Sequence, residues 1–109
     1  MINKLKKNNY NVYVFTDNNN DFFEYFKNNE LFNNIDGYLF SCEYGTLKRD
    51  GILFEELIHK FNLDTNECYF IDDKDINIEL GSKYGFKGFV FKENIDELYL
   101  DMRNNNINI

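Results

Sequence analysis

Asp72 and Asp73 are the residues of this chain whose type and spacing most directly suggest chemistry. They follow the short apolar run Cys68–Ile71. They precede Lys74–Tyr84, where Ile76, Leu80 and Tyr84 recur at helical spacing, and Gly85 sits where a C-cap glycine belongs. The pattern sets two acids at the carboxyl end of a strand and the start of a helix, the edge at which open α/β sheets bind ligands. Neighbouring carboxylates repel unless a proton or a cation lies between them. A divalent cation answers that need, and Mg²⁺ takes hard oxygen ligands and few protein groups. A structural use is equally open: Asp72 can cap the helix, and Asp73 gains from the helix dipole.

Phe70-Ile-Asp-Asp73, then Asn77 four residues after the second acid, then Gly85 and Gly88, together resemble the fourth motif of the haloacid dehalogenase superfamily. Those enzymes are mostly Mg²⁺-dependent phosphohydrolases with an aspartate nucleophile. The resemblance implies that Asp73 is a direct Mg²⁺ ligand, that Asp72 binds through water or orients the site, and that Asn77 ties the loop to the helix. It extends to Thr16, which precedes Asp17 and Asn18 and resembles the second motif, where a hydroxyl hydrogen-bonds the transferred phosphoryl group. A threonine closing a strand or making an ST-turn is the plainer use of such a residue. Lys48, in Gly45-Thr-Leu-Lys-Arg-Asp-Gly-Ile-Leu-Phe54, resembles the third motif, where a lysine steadies the negative charge of nucleophile and phosphate. Taken alone it reads as a solvated loop lysine. The family usually has proline next; here Arg49 follows, which loosens the loop. Thr16 and Lys48 are thus the candidate catalytic residues, Asp72 and Asp73 the candidate metal ligands, and Asp17, Asn18 and Asn77 their supports.

These residues need strands and helices to position them, and the pattern supplies both. Ile2 and Leu5 in a lysine-rich decamer predict a short helix ending near Asn8-Asn9. Val12–Thr16 is an apolar strand expected to be buried on both faces. Phe22, Phe23 and Phe26 mark a helix over about 20–29. Gly37–Ser41 is a second strand, and after Asp50 a helix carries the stripe Leu53, Phe54, Leu57, Ile58 and Phe61. Cys68–Ile71 and Gly88–Phe91 are the third and fourth strands. Ile95, Leu98, Tyr99 and Met102 face one way on a last helix. Strands alternating with helices predict βαβ units and a parallel sheet. The class is α/β, and the resemblance implies a partial, Rossmann-like, doubly wound parallel sheet of about four strands, ordered 88–91, 68–71, 12–16, 37–41.

Composition narrows the function classes. At 109 residues the chain reads as one small domain with no room for a cap. A hydrophobic content of 43% excludes a disordered tail. A net charge of −7, with no basic run longer than Lys6-Lys7, argues against nucleic acid or an anionic membrane as partner. Nothing resembles a membrane span or a signal peptide. Cys42 and Cys68 lack metal or redox spacing and read as two buried thiols in a reducing cytoplasm. The lone His59 lies off its helix's apolar stripe and is expected to be exposed.

The superfamily's first motif, Asp-x-Asp at the end of an initial strand, has no counterpart ahead of Thr16, since Met1–Tyr10 contains no aspartate. By resemblance the chain corresponds to the C-terminal half of such an enzyme, from about residue 2 to 103. The central first strand, between the 68–71 and 12–16 strands, would be missing. Catalysis needs a nucleophile as well as a metal. The expected function is therefore a Mg²⁺-dependent phosphatase-type hydrolase fragment, inactive alone, acting in its parent family on a small phosphorylated substrate. It would be completed by an N-terminal segment or another chain. The alternative is a non-catalytic interaction module derived from that fold.

Overall fold

The computed structural model describes residues 1–16, 34–40 and 51–109. The helix expected over 20–29, together with Asp17, Asn18, Cys42, Lys48 and Asp50, lies outside the described residues. Contacts within the chain gather into two units, Met1–Leu53 and Phe54–Ile109.

In the first unit, helix α1 (Ile2–Lys7) is followed by strands β1 (Tyr13–Thr16) and β2 (Gly37–Phe40). The strands pair in parallel, with Tyr13 opposite Gly37 and Thr16 opposite Phe40. Asp36 fixes their entry. Its carboxylate accepts from the Val12 N–H at 2.6 Å and from Lys6 Nζ at 2.8 Å, and its own N–H donates to the Val12 carbonyl at 2.7 Å. A second tie runs from the Asn34 amide to Asn3 Oδ1 at 2.8 Å. The Lys6 hydrogen bond, then the Val12 N–H, hold the Asp36 carboxyl below the usual carboxylate range. Leu39 is fully buried, but every residue of β1 is only half-buried, short of the two-sided burial its apolar run predicts.

In the second unit, strands β3 (Tyr69–Asp72) and β4 (Lys87–Val90) also pair in parallel, with Tyr69 opposite Lys87 and Asp72 opposite Val90. The described strands thus form two two-stranded sheets, β1 with β2 and β3 with β4, which are the two outer pairs of the expected order. Helix α2 (Ile52–Phe61), a 3₁₀ turn (Thr65–Glu67), helix α3 (Asp75–Lys83) and helix α4 (Ile95–Asn104) complete the described elements. The core is aromatic. Phe54 is fully buried; it meets Phe70 edge-on at 5.6 Å, stacks on Tyr84 at 5.7 Å and touches Phe86 at 6.1 Å between ring centroids. Each such pair adds about 0.5–1.5 kcal/mol beyond its area burial. Leu57, Leu98 and Met102 are buried as their stripes predict, whereas Ile95 is exposed.

Helix α3 keeps only part of its predicted face: Tyr84, just past its end, stacks on Phe54, but Ile76 turns outward. Ile76 is 54% exposed, and the buried residues are Asn77 and Gly81. Gly81 lets the helix approach closely: a Cβ there would stand 3.0 Å from Phe70 Cδ2 and 3.3 Å from Phe54 Cε1. The packing stripe is thus made by a small residue and a hydrogen-bonded one, which apolar periodicity does not reveal.

All four described helices end alike. A left-handed residue stands one or two positions past the end of each: Asn9 (φ 68°), Asn62 (φ 52°), Gly85 (φ 99°) and Asn106 (φ 63°). The next N–H then reaches back, Tyr10 to Leu5, Leu63 to Ile58, Phe86 to Gly81 and Ile107 to Met102, closing a Schellman motif each time. Asparagine tolerates the left-handed region better than other side chains do. Part of this chain's asparagine content therefore has a conformational use.

Candidate functional site

The second unit builds its candidate site at the carboxyl end of β3. The strand begins and ends one residue later than its apolar run suggests, so Asp72 is its last residue, opposite Val90. Asp72 is 9% exposed, an expensive place for a carboxylate without partners. Its Oδ1 accepts from the Lys74 N–H at 2.9 Å, and the Asn77 amide, itself 3% exposed, donates to both oxygens at 3.3 and 3.4 Å. The link between loop and helix that the resemblance assigns to Asn77 is therefore a side-chain bridge onto Asp72.

Asp72 does not cap α3. The N-cap is Lys74, which makes no side-chain capping hydrogen bond, and Asp72 instead closes an Asx-type turn two residues ahead of it. Asp73 differs in every respect: its side chain is exposed. Its carbonyl accepts from Lys92 Nζ at 3.1 Å, and the same ammonium lies 3.9 Å from Asp75 Oδ1. Lys92 was invisible to motif reasoning because it stands nineteen residues from Asp73.

Thr16 closes β1 at its carboxyl end in the first unit, half-buried opposite Phe40. Lys48, Asp17 and Asn18 lie outside the described residues. His59 is exposed, as expected. Cys68 is a free thiol but only half-buried, not fully buried; its Sγ donates to the Asp64 carbonyl at 3.3 Å, and desolvation pushes the thiol up, away from reactivity. Tyr69, at the other end of β3, donates to Asp101 Oδ2 at 2.5 Å, and burial followed by that bond raises its phenol.

Oxygen donors of Asp72 and Asp73 suit Mg²⁺ in kind. They are few in number: among the described residues, no group of three or more acidic, histidine or cysteine side chains could hold a metal ion. Mg²⁺ commonly keeps several waters and one or two carboxylates, so the pair fits as part of a coordination shell. Among the described residues no helix is long and apolar enough to cross a membrane.

No family model matches the chain. A curated relative, the flavin mononucleotide hydrolase 1 of Arabidopsis thaliana, is 32% identical over 69 residues, which are 63% of this chain and 28% of the hydrolase. A HAD family enzyme from Bacteroides thetaiotaomicron, solved as a complex with magnesium and inorganic phosphate, superposes with a TM-score of 0.76 at 23% identity, over 87% of this chain and 53% of the enzyme. A HAD-like family hydrolase from Porphyromonas gingivalis gives 0.77 at 18% identity, over 94% and 56%. The chain spans about half the length of these two structures and less of the plant hydrolase. The chain is an α/β protein whose fold is similar to that of these HAD family enzymes.

Proposed function

We propose that this chain supplies the metal- and phosphate-binding half of a Mg²⁺-dependent phosphohydrolase site and is inactive without a nucleophile from outside it. The observation that carries the reading is the unequal aspartate pair ending β3, Asp72 nine-tenths buried and held by Asn77 and the Lys74 N–H, Asp73 exposed beside it. The likeness to an enzyme crystallised with magnesium and phosphate supports it.

Asp73 would ligate the metal directly, and Asp72, locked in direction by Asn77 and the Lys74 N–H, would bind it through water or orient the site. When bound, Mg²⁺ supplies charge neutralisation at the phosphoryl oxygens. Thr16 donates its hydroxyl to the phosphoryl group, and Lys48 offsets the charge that builds on nucleophile and phosphate, with Asp17 and Asn18 as supporting residues. The substrate is a small phosphorylated molecule, and the chain works in the cytoplasm. A complementary segment or chain bearing an apolar strand and Asp-x-Asp brings the nucleophile.

The test adds such a synthetic segment to the chain and follows phosphate release from an aryl phosphate with and without Mg²⁺. Release is expected only with both present, and Asp73→Asn should abolish it. Turnover by the chain alone that disappears on Asp73→Asn would refute the shared-site reading. A chain that stays silent and is neither bound nor stabilised by the segment would favour the interaction-module alternative.

A further inference from the structure

We infer that Lys92 is a positioning residue for the aspartate loop, directing the Asp73 carboxylate toward a divalent cation; the inference rests on the metal reading above. Two successive residues leaving β4 grip two successive carbonyls leaving β3. The Phe91 N–H donates to the Asp72 carbonyl at 2.8 Å, and Lys92 Nζ donates to the Asp73 carbonyl at 3.1 Å. The same ammonium reaches Asp75 Oδ1, at the first residue of α3, at 3.9 Å. One side chain thus spans the loop from its middle to the start of the helix.

The two aspartates need this help unequally. Asp72 has its carboxylate held directly by Asn77 and the Lys74 N–H. Asp73 has an exposed side chain with no partner of its own among the described residues, so the placement of its Cα–Cβ bond depends on the loop backbone, and the Asp73 carbonyl of that backbone is what Lys92 holds. With side chains 66% and 76% exposed, the Lys92–Asp75 ion pair adds little. The hydrogen bond to the carbonyl carries the geometry.

The sign of one measurement separates this role from simple electrostatics. Lys92→Met keeps an apolar stem and removes a cation from an acidic loop, so through-space charge alone predicts tighter Mg²⁺ binding. A positioning residue predicts weaker binding, by about threefold for the loss of one modest hydrogen bond. The experiment is amide NMR on the full chain, first without metal and then titrated with MgCl₂, for wild type, Lys92→Met and Lys92→Arg. Expected without metal is faster motion of the amides at 73–75 in Lys92→Met, with the β3 and β4 amides unchanged and order restored in Lys92→Arg. Expected with metal is weaker binding in Lys92→Met and recovery in Lys92→Arg. Unchanged loop motion, or tighter Mg²⁺ binding in Lys92→Met, overturns the inference. A wild-type chain whose Asp72 and Asp73 amides ignore MgCl₂ overturns the metal reading instead, while the metal-free comparison still decides whether Lys92 orders the loop.

Discussion

Each unit contains a parallel pair of four-residue strands, and the ties described at the two pairs differ in kind. In the first, Asp36 joins Lys6 and Val12 across the strand entry, Asn34 joins Asn3, and Leu39 is fully buried. In the second, Phe54, Phe70, Tyr84 and Phe86 interlock beneath the ladder, and a buried glycine lets the helix settle on them. Polar ties respond to pH and salt and contribute little each when exposed; a packed aromatic core ignores both and reacts to lost volume. The candidate site is fastened to the second kind of support, as a cation site needs if its carboxylates are to keep their directions.

The strongest way to break this contrast is Phe54→Ala, which should cost about 3–5 kcal/mol in denaturant unfolding because it opens a cavity at the centre of the cluster. Asp36→Asn should cost about 1 kcal/mol or less. Equal losses would show that the contrast has no energetic content. Next in size is Asn77→Leu, which removes two donors from a buried carboxylate and should cost about 1–3 kcal/mol, read by the same unfolding curves.

The two units should also fail at opposite ends of the pH scale. Tyr69 has its phenol raised by burial and by Asp101, so its contribution is complete below the usual tyrosine range and is lost as pH rises through the folded value. Tyr69→Phe should flatten that alkaline limb at a cost of about 1 kcal/mol near neutrality. Asp36 is lowered, so its contribution is complete above the ordinary carboxylate value and is lost as pH falls toward the folded one. In Asp36→Asn the acid limb should shrink and lose part of its salt dependence. An acid limb unchanged by that substitution would remove Asp36 as the clip of the first unit.

Strand positions were legible from apolar runs bounded by polar turns, and every described strand lies within a residue or so of its run. Helix α3 was legible in extent but only partly in orientation. A period count rewards Ile76 and Leu80, and cannot see that Gly81 is buried because it is small or Asn77 because Asp72 needs its amide. Asp72 and Asp73 were legible as a pair but not as unequals, since their difference comes from partners at positions 77 and 92. Lys92 acts through its stem length and the register of β4 against β3, and neither leaves a mark in local sequence.

Asp36 has one more consequence, for the covalent lifetime of the chain. It is followed by Gly37, and an Asp–Gly bond ages readily, because the unhindered glycine nitrogen attacks the carboxyl group to give a succinimide and then isoaspartate. That attack needs the side chain to swing toward its own following peptide. Here the carboxylate is tied to Lys6 and Val12, and Gly37 lies in the ladder opposite Tyr13. The clip that registers β1 against β2 therefore also keeps this bond from rearranging, and isoaspartate at position 36 becomes a chemical clock for how often the first unit opens.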